Sequence, residues 1–372
     1  MTDIIVIGAG IAGASVAAHL AETRRVLLLE REDRPGYHAT GRSAALFTEI
    51  YGNTAIRALT RASRKFLFEP PSGFAQGPLT RARGCLHIGT SAQLGLLQEF
   101  RAAPDIALMT RVLNRAEALN LCPVLREDYV AGGVYEPDSS DIDVAALHQG
   151  YLRMLRAREG RLVNNAEVHA LARTGGGWRV QTAAETYTAP LVVNAAGAWA
   201  DAVAKLAGVA PIGLEPRRRT AMLVDPPPGM AVSGWPFVSD IAEQFYFKPE
   251  AGSLFISPAD ETPTVPADAQ PEEWDVATAV ERIEAATTLR IDRLKARWAG
   301  LRTFAPDRIP VVGFGAEPGF FWLAGQGGYG IQTSPALSRT AAALVLGLPL
   351  AADLIASGVD PAAMSPARFT AR

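Results

Sequence analysis

Cysteine is scarce in this sequence, with only Cys85 and Cys122 among 372 residues. Two cysteines are too few for a disulfide framework, and no CxxC pair or Cys/His cluster indicates a metal site. An excess of one charge is also lacking, because 38 acidic residues nearly cancel 36 basic ones and no basic run is present. We therefore expect no metal centre and no nucleic-acid partner.

Long apolar runs are missing too. The apolar stretch of residues 4–20 follows Thr2 and Asp3, where a signal peptide would have basic residues, and glycines interrupt it. Elsewhere the apolar runs are too short for a membrane span. These features predict a soluble, cytoplasmic protein.

The first thirty residues contain a strand–helix–strand pattern. Residues 3–8 and 26–30 are apolar runs without alternation, which is typical of strands buried on both faces of a parallel sheet. Residues 11–22, between them, have a helical pattern. The sequence GAGIAG at residues 8–13 matches G-x-G-x-x-G in the strand-to-helix context that a dinucleotide site requires.

Each part of this motif has a physical role. Gly8 permits the tight turn, Gly10 lets the backbone approach a pyrophosphate, and Gly13 allows the helix to pack closely on the strand. The helix N-terminus at Ile11 offers N–H groups to the anion. Glu30 ends the second strand, where its carboxylate can accept hydrogen bonds from ribose hydroxyls and disfavours the 2′-phosphate of NADP.

Two later segments favour FAD over NAD. An NAD enzyme would continue with further parallel βα units. Here VVNAAGAWA (192–200) is a strand that runs into a small-residue turn, and GQGGYGIQ (325–332) follows the buried run 320–324. Three separated pieces suit a large cofactor that spans a domain. An NAD-dependent reductase is the alternative, and that protein would be colourless.

The rest of the chain alternates between helical and strand-like segments. Helices are predicted at residues 55–68, 144–156 and 274–288 and after residue 330 to about Leu346, and strands within 162–195 and 213–300. Residues 69–140 have a mixed pattern. The polar, proline-rich loop 259–272 is expected to be mobile.

The chain resembles the D-amino-acid oxidase family of flavoproteins, which includes glycine and sarcosine oxidases. Within that family it is most similar to bacterial FAD-dependent D-arginine dehydrogenases. The stretches that carry the resemblance are LEREDRPGYHATGRSAA (29–45), SDIDVAALHQGYLR (140–153), VVNAAGAW (192–199), FYFKPEAG (245–252), WAGLR (298–302) and QGGYGIQTS (326–334).

The resemblance implies an α/β plus α+β fold. A Rossmann-type FAD-binding domain of the glutathione-reductase type would be intertwined with a substrate domain built on a mixed or antiparallel sheet. The implied parts are residues 1–48, 141–212 and 298–350 for FAD, 49–140 and 213–297 for substrate, and a C-terminal tail, 351–372. FAD is expected to be bound non-covalently, because the flavin-linked cysteine of sarcosine oxidases has no counterpart near WAGLR.

The family also implies which residues contact the cofactor. Arg42, in the polar TGRS segment, is the cation expected to face FAD. The full set is Gly8, Gly10, Ile11, Ala12, Gly13, Glu30, Arg31, Thr40, Gly41, Arg42, Ser43, Ala44, Val168, Ala196, Gly197, Trp199, Arg302, Gly327, Gly328, Tyr329, Gly330, Ile331 and Gln332.

A substrate site follows from the same resemblance. Arg302 and Arg219 correspond to carboxylate-binding arginines, and an arginine fork suits a carboxylate because two N–H donors match two oxygens. Tyr246 and Tyr51 correspond to tyrosines at the carboxylate and over the pocket. The Gly328 carbonyl would accept a hydrogen bond from the substrate amine.

Other polar residues are predicted to be structural. Arg217 and Arg218 precede Arg219 in a run that is expected to be a solvated surface loop. His38 and His148 are each expected to be hydrogen-bonded structural residues, since that is the commoner role of a lone histidine.

Two departures from the D-arginine dehydrogenases bear on the substrate. Cys85 stands where those enzymes carry the glutamate that binds the substrate guanidinium, and Leu46 stands where they carry a histidine. Losing one partner of a buried charge pair costs about 3–5 kcal/mol. Unless Glu49 or another acid substitutes, we expect a preference for neutral or apolar D-amino acids over basic ones.

The implied activity is oxidative deamination of D-amino acids, by hydride transfer from the substrate Cα to flavin N5. The imino acid would hydrolyse to a 2-oxo acid and ammonia, and the electron acceptor is unidentified. One alternative is a glycine- or sarcosine-type oxidase that uses O2. An alternative of another class is a flavin-binding subunit without catalysis.

Overall fold

The computed structural model describes residues 2–369, and it begins with the predicted strand, helix and strand. Ile4–Ile7 and Val26–Leu29 are parallel neighbours in which every residue is buried, and Ile11–Leu20 is the helix between them. Ile4 and Val6 pack in one hydrophobic core, whereas Ile5 and Ile7 pack in another. The strands lack alternation because both of their faces are covered.

The strands are, in chain order, β1 (Ile4–Ile7), β2 (Val26–Leu29), β3 (Leu46–Phe47), β4 (Thr80–Ala82), β5 (Cys85–Gly89), β6 (Arg111–Asn114), β7 (Gly132–Glu136), β8 (Ser140–Ile142), β9 (Arg161–Val163), β10 (Val168–Thr174), β11 (Gly177–Thr182), β12 (Thr186–Ala189), β13 (Leu191–Asn194), β14 (Glu215–Val224), β15 (Phe237–Asp240), β16 (Tyr246–Glu250), β17 (Ser253–Ser257), β18 (Thr262–Pro263), β19 (Leu294–Phe304), β20 (Val311–Phe314), β21 (Phe320–Ala324) and β22 (Gln326–Gly327).

The α-helices are α1 (Ile11–Leu20), α2 (Thr54–Phe68), α3 (Leu94–Phe100), α4 (Pro104–Met109), α5 (Arg115–Leu121), α6 (Val144–Ala157), α7 (Ala200–Leu206), α8 (Glu273–Ala286), α9 (Gly330–Leu346), α10 (Ala352–Ala356) and α11 (Pro361–Met364). Short 3₁₀ turns lie at Ala39–Arg42, Ser91–Gln93, Gly197–Trp199 and Pro366–Phe369. Within residues 2–369, no helix has the length and apolar character needed to cross a bilayer.

A six-stranded sheet holds the three sequence motifs side by side. Its order is β20-β21-β13-β1-β2-β9, and all neighbours are parallel except β20 and β21. The turns at residues 8–13, 195–200 and 325–332 therefore lie at the same edge, where the carboxyl ends of β1, β13 and β21 meet. Ligands of open parallel sheets bind at this edge.

A second, ten-stranded sheet has the order β22-β19-β14-β17-β16-β15-β5-β7-β6, with β18 paired to β14. All of its strand pairs are antiparallel except β15 with β5. The predicted fold class, a Rossmann-type sheet with a mixed sheet beside it, is confirmed. The predicted boundary at residue 298 lies inside β19, and the domain limits themselves stay a prediction.

The predicted helices occur within one or two residues of their expected limits. α2 begins after Asn53, whose side chain accepts from the Ile56 N–H, and α6 begins after Asp143, which caps it in the same way. The loop 259–272, predicted to be mobile, instead contains β18, which pairs with β14. The C-terminal tail contains α10 and α11, and its last three residues lie outside the described part of the chain.

Candidate functional site

A long cavity lies at the carboxyl edge of the six-stranded sheet and extends to the ten-stranded sheet. Residues from all three motifs line it, together with residues of β14, β16, β17 and β19. The predicted cofactor residues that line it are Gly8, Gly10, Ile11, Ala12, Glu30, Arg31, Thr40, Arg42, Ser43, Ala44, Val168, Ala196, Gly197, Trp199, Arg302, Gly327, Gly328, Gly330 and Ile331.

The first motif has the geometry that its glycines predict. Gly8 has a φ of +98°, and a Cβ there would lie 2.5 Å from the carbonyl oxygen of Ala195 in the second motif. A Cβ on Gly13 would lie 1.8 Å from the Gly8 oxygen. Gly13 does not line the cavity. Its contribution is that it allows α1 to pack closely on the turn.

The Glu30 carboxylate is held in a fixed orientation at the end of β2. Its Oε2 accepts from the Ala9 N–H at 2.9 Å, and its Oε1 accepts from the Glu32 N–H at 3.0 Å. Each oxygen keeps a lone pair for ribose hydroxyls. The N-terminus of α1 opens beside it, where the first helical N–H groups have no partner within the helix.

One further polar group fits a bound cofactor. Gln326 lines the cavity, and its Nε2 is a buried donor without an acceptor among the described residues. A buried donor without an acceptor is costly, and a ligand atom in the cavity would satisfy it. Gln326 was not among the predicted cofactor residues Gly327 to Gln332, although it belongs to the same glycine-rich segment. The donor set, the glycine cradle and Glu30 together fit FAD.

Other predicted cofactor residues lie behind the cavity wall. The buried Gln332 accepts from the Thr48 N–H at 3.2 Å and donates to the Thr60 hydroxyl at 2.9 Å, so its amide is occupied within the protein. Gly41 faces the Gly36 carbonyl, which would be 2.8 Å from a Cβ. Tyr329 packs against Tyr51 instead of lining the cavity.

Arg42 has partners within the protein that the sequence did not indicate. It lines the cavity, but its guanidinium donates to the carbonyl oxygens of Ala269 and Ala299 and pairs with Asp268. Tyr37 also donates to Asp268, at 3.1 Å. That Arg42 faces FAD stays a prediction, and the structure adds that its charge is already paired within the protein. Its charge is matched by an acid more than two hundred residues away, on a loop that covers the cavity.

We expect the Arg42–Asp268 ion pair to slow the loss of FAD. Asp268→Asn removes the charge and keeps the size of the side chain. Because the Asp268 side chain is 46% exposed, we expect roughly twofold to fivefold faster release. Release is followed by the fluorescence of free FAD after dilution. Asp292→Asn, which changes an exposed acid without a hydrogen bond or ion pair in the described chain, should release FAD at the wild-type rate. Equal rates in all three proteins would contradict the prediction.

At the other end of the cavity, Arg302 projects from β19. Its guanidinium is 3.4 Å from the Tyr51 hydroxyl, and a Cβ on Gly328 would lie 2.9 Å from its Cζ. Burial opposes its charged form, but the oxygens of Tyr51, Tyr246 and Tyr329 outweigh burial and raise the Arg302 pKa. Among residues 2–369, no carboxylate lies within 4 Å of this cation. A charge that is left unpaired in such a place favours an anionic ligand.

Arg219 also lines the cavity, but it has protein partners. Its Nη2 is 3.1 Å from Glu261, and its Nε donates to the Asp260 carbonyl at 2.6 Å. The guanidinium lies 5.8 Å from the centre of the Tyr246 ring. The structure therefore brings both predicted arginines to one end of the cavity, and among the described residues only Arg219 of the two has a carboxylate within 4 Å.

Arg218 corrects the prediction of a solvated arginine run. The run lies in β14, where alternate side chains face opposite sides, and Arg218 is only 8% exposed. It pairs with Asp275 at 2.8 Å and with Glu272. Arg217 is half-buried and pairs with Glu215. The error arose because the acidic partners of Arg218 lie far along the chain, in the first turn of α8 and directly before it.

Tyr246 stands beside both arginines in an aromatic wall. Its ring stacks on Phe237 at 5.2 Å and on Phe255 at 5.9 Å. Burial raises the pKa of Tyr246, but the charges of Arg302 and Arg219 and a hydrogen bond with Ser257 outweigh burial, so the net pKa is lowered. An acidified hydroxyl is a stronger hydrogen-bond donor to a carboxylate.

Acids are absent from the cavity lining beside this wall in the described part of the chain. Among the described residues, only Glu30 and Glu167 are acids in the cavity lining, and Glu167 pairs with Arg31 at 3.3 Å. Cys85 is buried in β5, and Glu49 pairs with Arg64 at 2.8 Å, so neither lines the cavity. Glu49 therefore does not replace the acid that Cys85 lacks.

The two histidines have protein partners. His38 lines the cavity, with Nε2 2.8 Å from Glu32 and its ring 4.7 Å from Trp199. His148 is buried on α6 with Nε2 2.9 Å from the Ala9 carbonyl, and burial lowers its pKa despite that hydrogen bond. His148 supports the turn before α1.

Comparisons with known proteins agree with this fold. The oxidoreductase YurR of Bacillus subtilis (strain 168), described as uncharacterized, is 29% identical over 390 residues, which cover 97% of this chain and 99% of YurR. Mitochondrial sarcosine dehydrogenase of Mus musculus is 26% identical over 86% of this chain. The match spans only 37% of that longer protein. Glycine oxidase from Geobacillus kaustophilus has the same fold, with a TM-score of 0.83, 23% identity, and coverage of 100% of this chain and 99% of that one.

The family model for FAD-dependent oxidoreductases, DAO, matches residues 3–344. The narrower resemblance to D-arginine dehydrogenases stays a prediction. The chain belongs to the DAO family of FAD-dependent oxidoreductases, and FAD is its cofactor.

Proposed function

We propose that this protein catalyses the oxidative deamination of D-amino acids with neutral or apolar side chains. The observation that carries the proposal is Arg302, a cavity-lining cation with no carboxylate partner in the described chain, held under three tyrosines. An amino acid supplies the carboxylate that this cation lacks. The preference for the D-enantiomer follows from the family resemblance, and a cytoplasmic location is part of the same proposal.

The residues of this chain would bind and orient the substrate. Arg302 would hold the carboxylate through two N–H donors, with the hydroxyls of Tyr246 and Tyr51 as additional donors. The Gly328 carbonyl would accept from the amine, and glycine is required there because a Cβ would collide with Arg302. FAD supplies the two-electron acceptor for Cα–H oxidation. Water would hydrolyse the released imino acid to a 2-oxo acid and ammonia.

The wall of this site supports neutral and apolar side chains. Ala44, Ala221, Tyr246 and Phe255 line the cavity near the arginines and present carbon atoms and aromatic rings. Glu261, an acid near this wall, is already paired with Arg219 and Arg308, so a basic side chain would be buried there without a free acid, which costs several kcal/mol. Cys85 and Glu49 offer no replacement, as their positions show.

A glycine- or sarcosine-type oxidase that uses O2 is supported about equally. The similarity to proteins named sarcosine dehydrogenase and glycine oxidase supports a small or N-substituted amino acid as the substrate. A flavin-binding subunit without catalysis is less well supported, because Arg302, Tyr51 and Tyr246 are all present at one site.

The test is anaerobic reduction of the bound flavin by a panel of D-, L- and N-methyl amino acids, followed at 450 nm. The proposal expects the fastest reduction with D-amino acids such as D-Met, D-Leu or D-Phe, and weak reduction with D-Arg and D-Lys. Fastest reduction by glycine or sarcosine, with stoichiometric H2O2 in air, would favour the oxidase. Absence of reduction by every amino acid would refute both enzymes.

A further inference from the structure

Arg302 and Arg219, the two arginines at the substrate end of the cavity, differ in whether a carboxylate lies beside them. Arg302 contacts the Tyr51 hydroxyl and has no carboxylate within 4 Å in the described chain. Arg219 lines the same cavity, but its Nη2 is 3.1 Å from Glu261. Two cavity-lining cations could bind two anionic groups of a ligand. Because Glu261 pairs with Arg219, only Arg302 remains available for such a group.

Glu261 is placed and charged for this role by its surroundings. It directly precedes β18, whose Thr262 pairs with Arg218 and so holds Glu261 beside Arg219. Arg308 Nη2 donates to both of its oxygens, at 3.0 and 2.8 Å. Burial raises the Glu261 pKa, but Arg308, Arg219 and Arg302 outweigh burial, so the net pKa is lowered and the carboxylate is ionised at neutral pH.

We infer that Glu261 is a specificity-determining residue that restricts the site to substrates with a single carboxylate. Arg302 receives that carboxylate. A second carboxylate on the substrate side chain would approach Arg219. Arg219 already forms an ion pair with Glu261, and the negative charge of Glu261 would repel this second carboxylate. The inference rests on the proposed function, which it deepens by excluding acidic as well as basic side chains.

The test uses substrate pairs that differ in charge and not in shape: D-Asp against D-Asn, and D-Glu against D-Gln. Glu261→Gln removes the charge and leaves a side chain of the same size. The ratio of kcat/KM for the acid to kcat/KM for its amide is expected to rise at least tenfold. An unchanged ratio in a folded, FAD-containing Glu261→Gln protein would overturn the inference.

Two further variants identify the cation responsible. In Glu261→Gln/Arg219→Gln, the gain for D-Asp and D-Glu should disappear, because the cation released by the first substitution is absent. Arg308→Gln leaves Glu261 on Arg219 with one counter-charge fewer, so the acid-to-amide ratio should fall about twofold to threefold. This opposite effect keeps the inference testable if Glu261→Gln does not fold, and an unchanged ratio would then overturn it.

A binding measurement separates this inference from the proposed function. Succinate and its monoamide, succinamate, are titrated into the FAD-containing protein, and the change in flavin absorbance gives each Kd. Glu261→Gln should strengthen succinate binding relative to succinamate at least tenfold, even if no amino acid reduces the flavin. Failure of the amino-acid panel with a positive succinate result would refute the proposed function alone. An unchanged preference for succinate would refute the role of Glu261.

Discussion

Replacing Arg302 with methionine is expected to lower kcat/KM for the best amino acid about a thousandfold while the protein stays yellow. Methionine has a similar reach without charge, so the substrate carboxylate would be buried without its partner. Loss of one partner of such a pair costs roughly 3–5 kcal/mol, or two to four orders of magnitude. Arg302→Lys should recover part of the loss, because an ammonium keeps the charge but not the two parallel donors.

The control for this prediction lies on the same strand. Arg297 is also in β19, but it is exposed and pairs with the exposed Glu273. Arg297→Met should leave kcat/KM within a factor of two, since exposed ion pairs contribute about 1 kcal/mol or less to stability. Both variants are measured by anaerobic stopped-flow reduction at matched FAD content. Near wild-type kcat/KM in Arg302→Met would contradict the carboxylate role.

The second large effect is expected at Gly13. The new methyl group of Gly13→Ala would lie 1.8 Å from the Gly8 oxygen, and backbone on both sides cannot yield cheaply. Overpacking of this kind costs roughly 1–3 kcal/mol or more, and here it displaces α1 from the turn that holds the cofactor. We expect a colourless protein with a lowered Tm, measured by the ratio of absorbance at 450 and 280 nm and by calorimetry.

Gly95→Ala is the matched control. Gly95 is also in a helix, α3, but a Cβ there meets nothing within 4 Å. Alanine should be neutral or stabilising by up to about 1 kcal/mol, because it has the better helix propensity. Normal FAD content and Tm in Gly13→Ala would show that the close approach of α1 to the turn is dispensable.

The parts of the fold that could be predicted are those whose signal is local. β1, α1 and β2 follow from an unbroken apolar run, a glycine pattern and a helical period within thirty residues. The placement of three motifs at one sheet edge followed from their strand-to-turn form. The segment 69–140 shows only a mixed pattern, because its short elements, such as β4 and α4, contain too few residues for a periodicity to be visible.

The candidate site was predictable only in part, for a related reason. Arg302 and Tyr246 were identified through short family stretches and Arg219 through the wider family resemblance, and the structure brings the three together at one end of the cavity. Asp268 and Glu261 carried no such signal, because each acts through an arginine that is distant in sequence. Whether the charge of an arginine is paired depends on these tertiary partners, which spacing along the chain does not reveal.

The strand order also has a consequence for biosynthesis. β1 pairs with β2 on one edge and with β13, which begins at Leu191, on the other. The other edge of β13 pairs with β21, which begins at Phe320. A ribosome that adds about 5–20 residues per second needs roughly 15–60 s to make the chain between Leu29 and Phe320. During that time β1 and then β13 present unpaired apolar edges, which are prone to aggregation. Gly327, Gly328 and Gly330 line the cavity and are synthesised after the other two motifs, so the cavity is complete only late in synthesis of the chain.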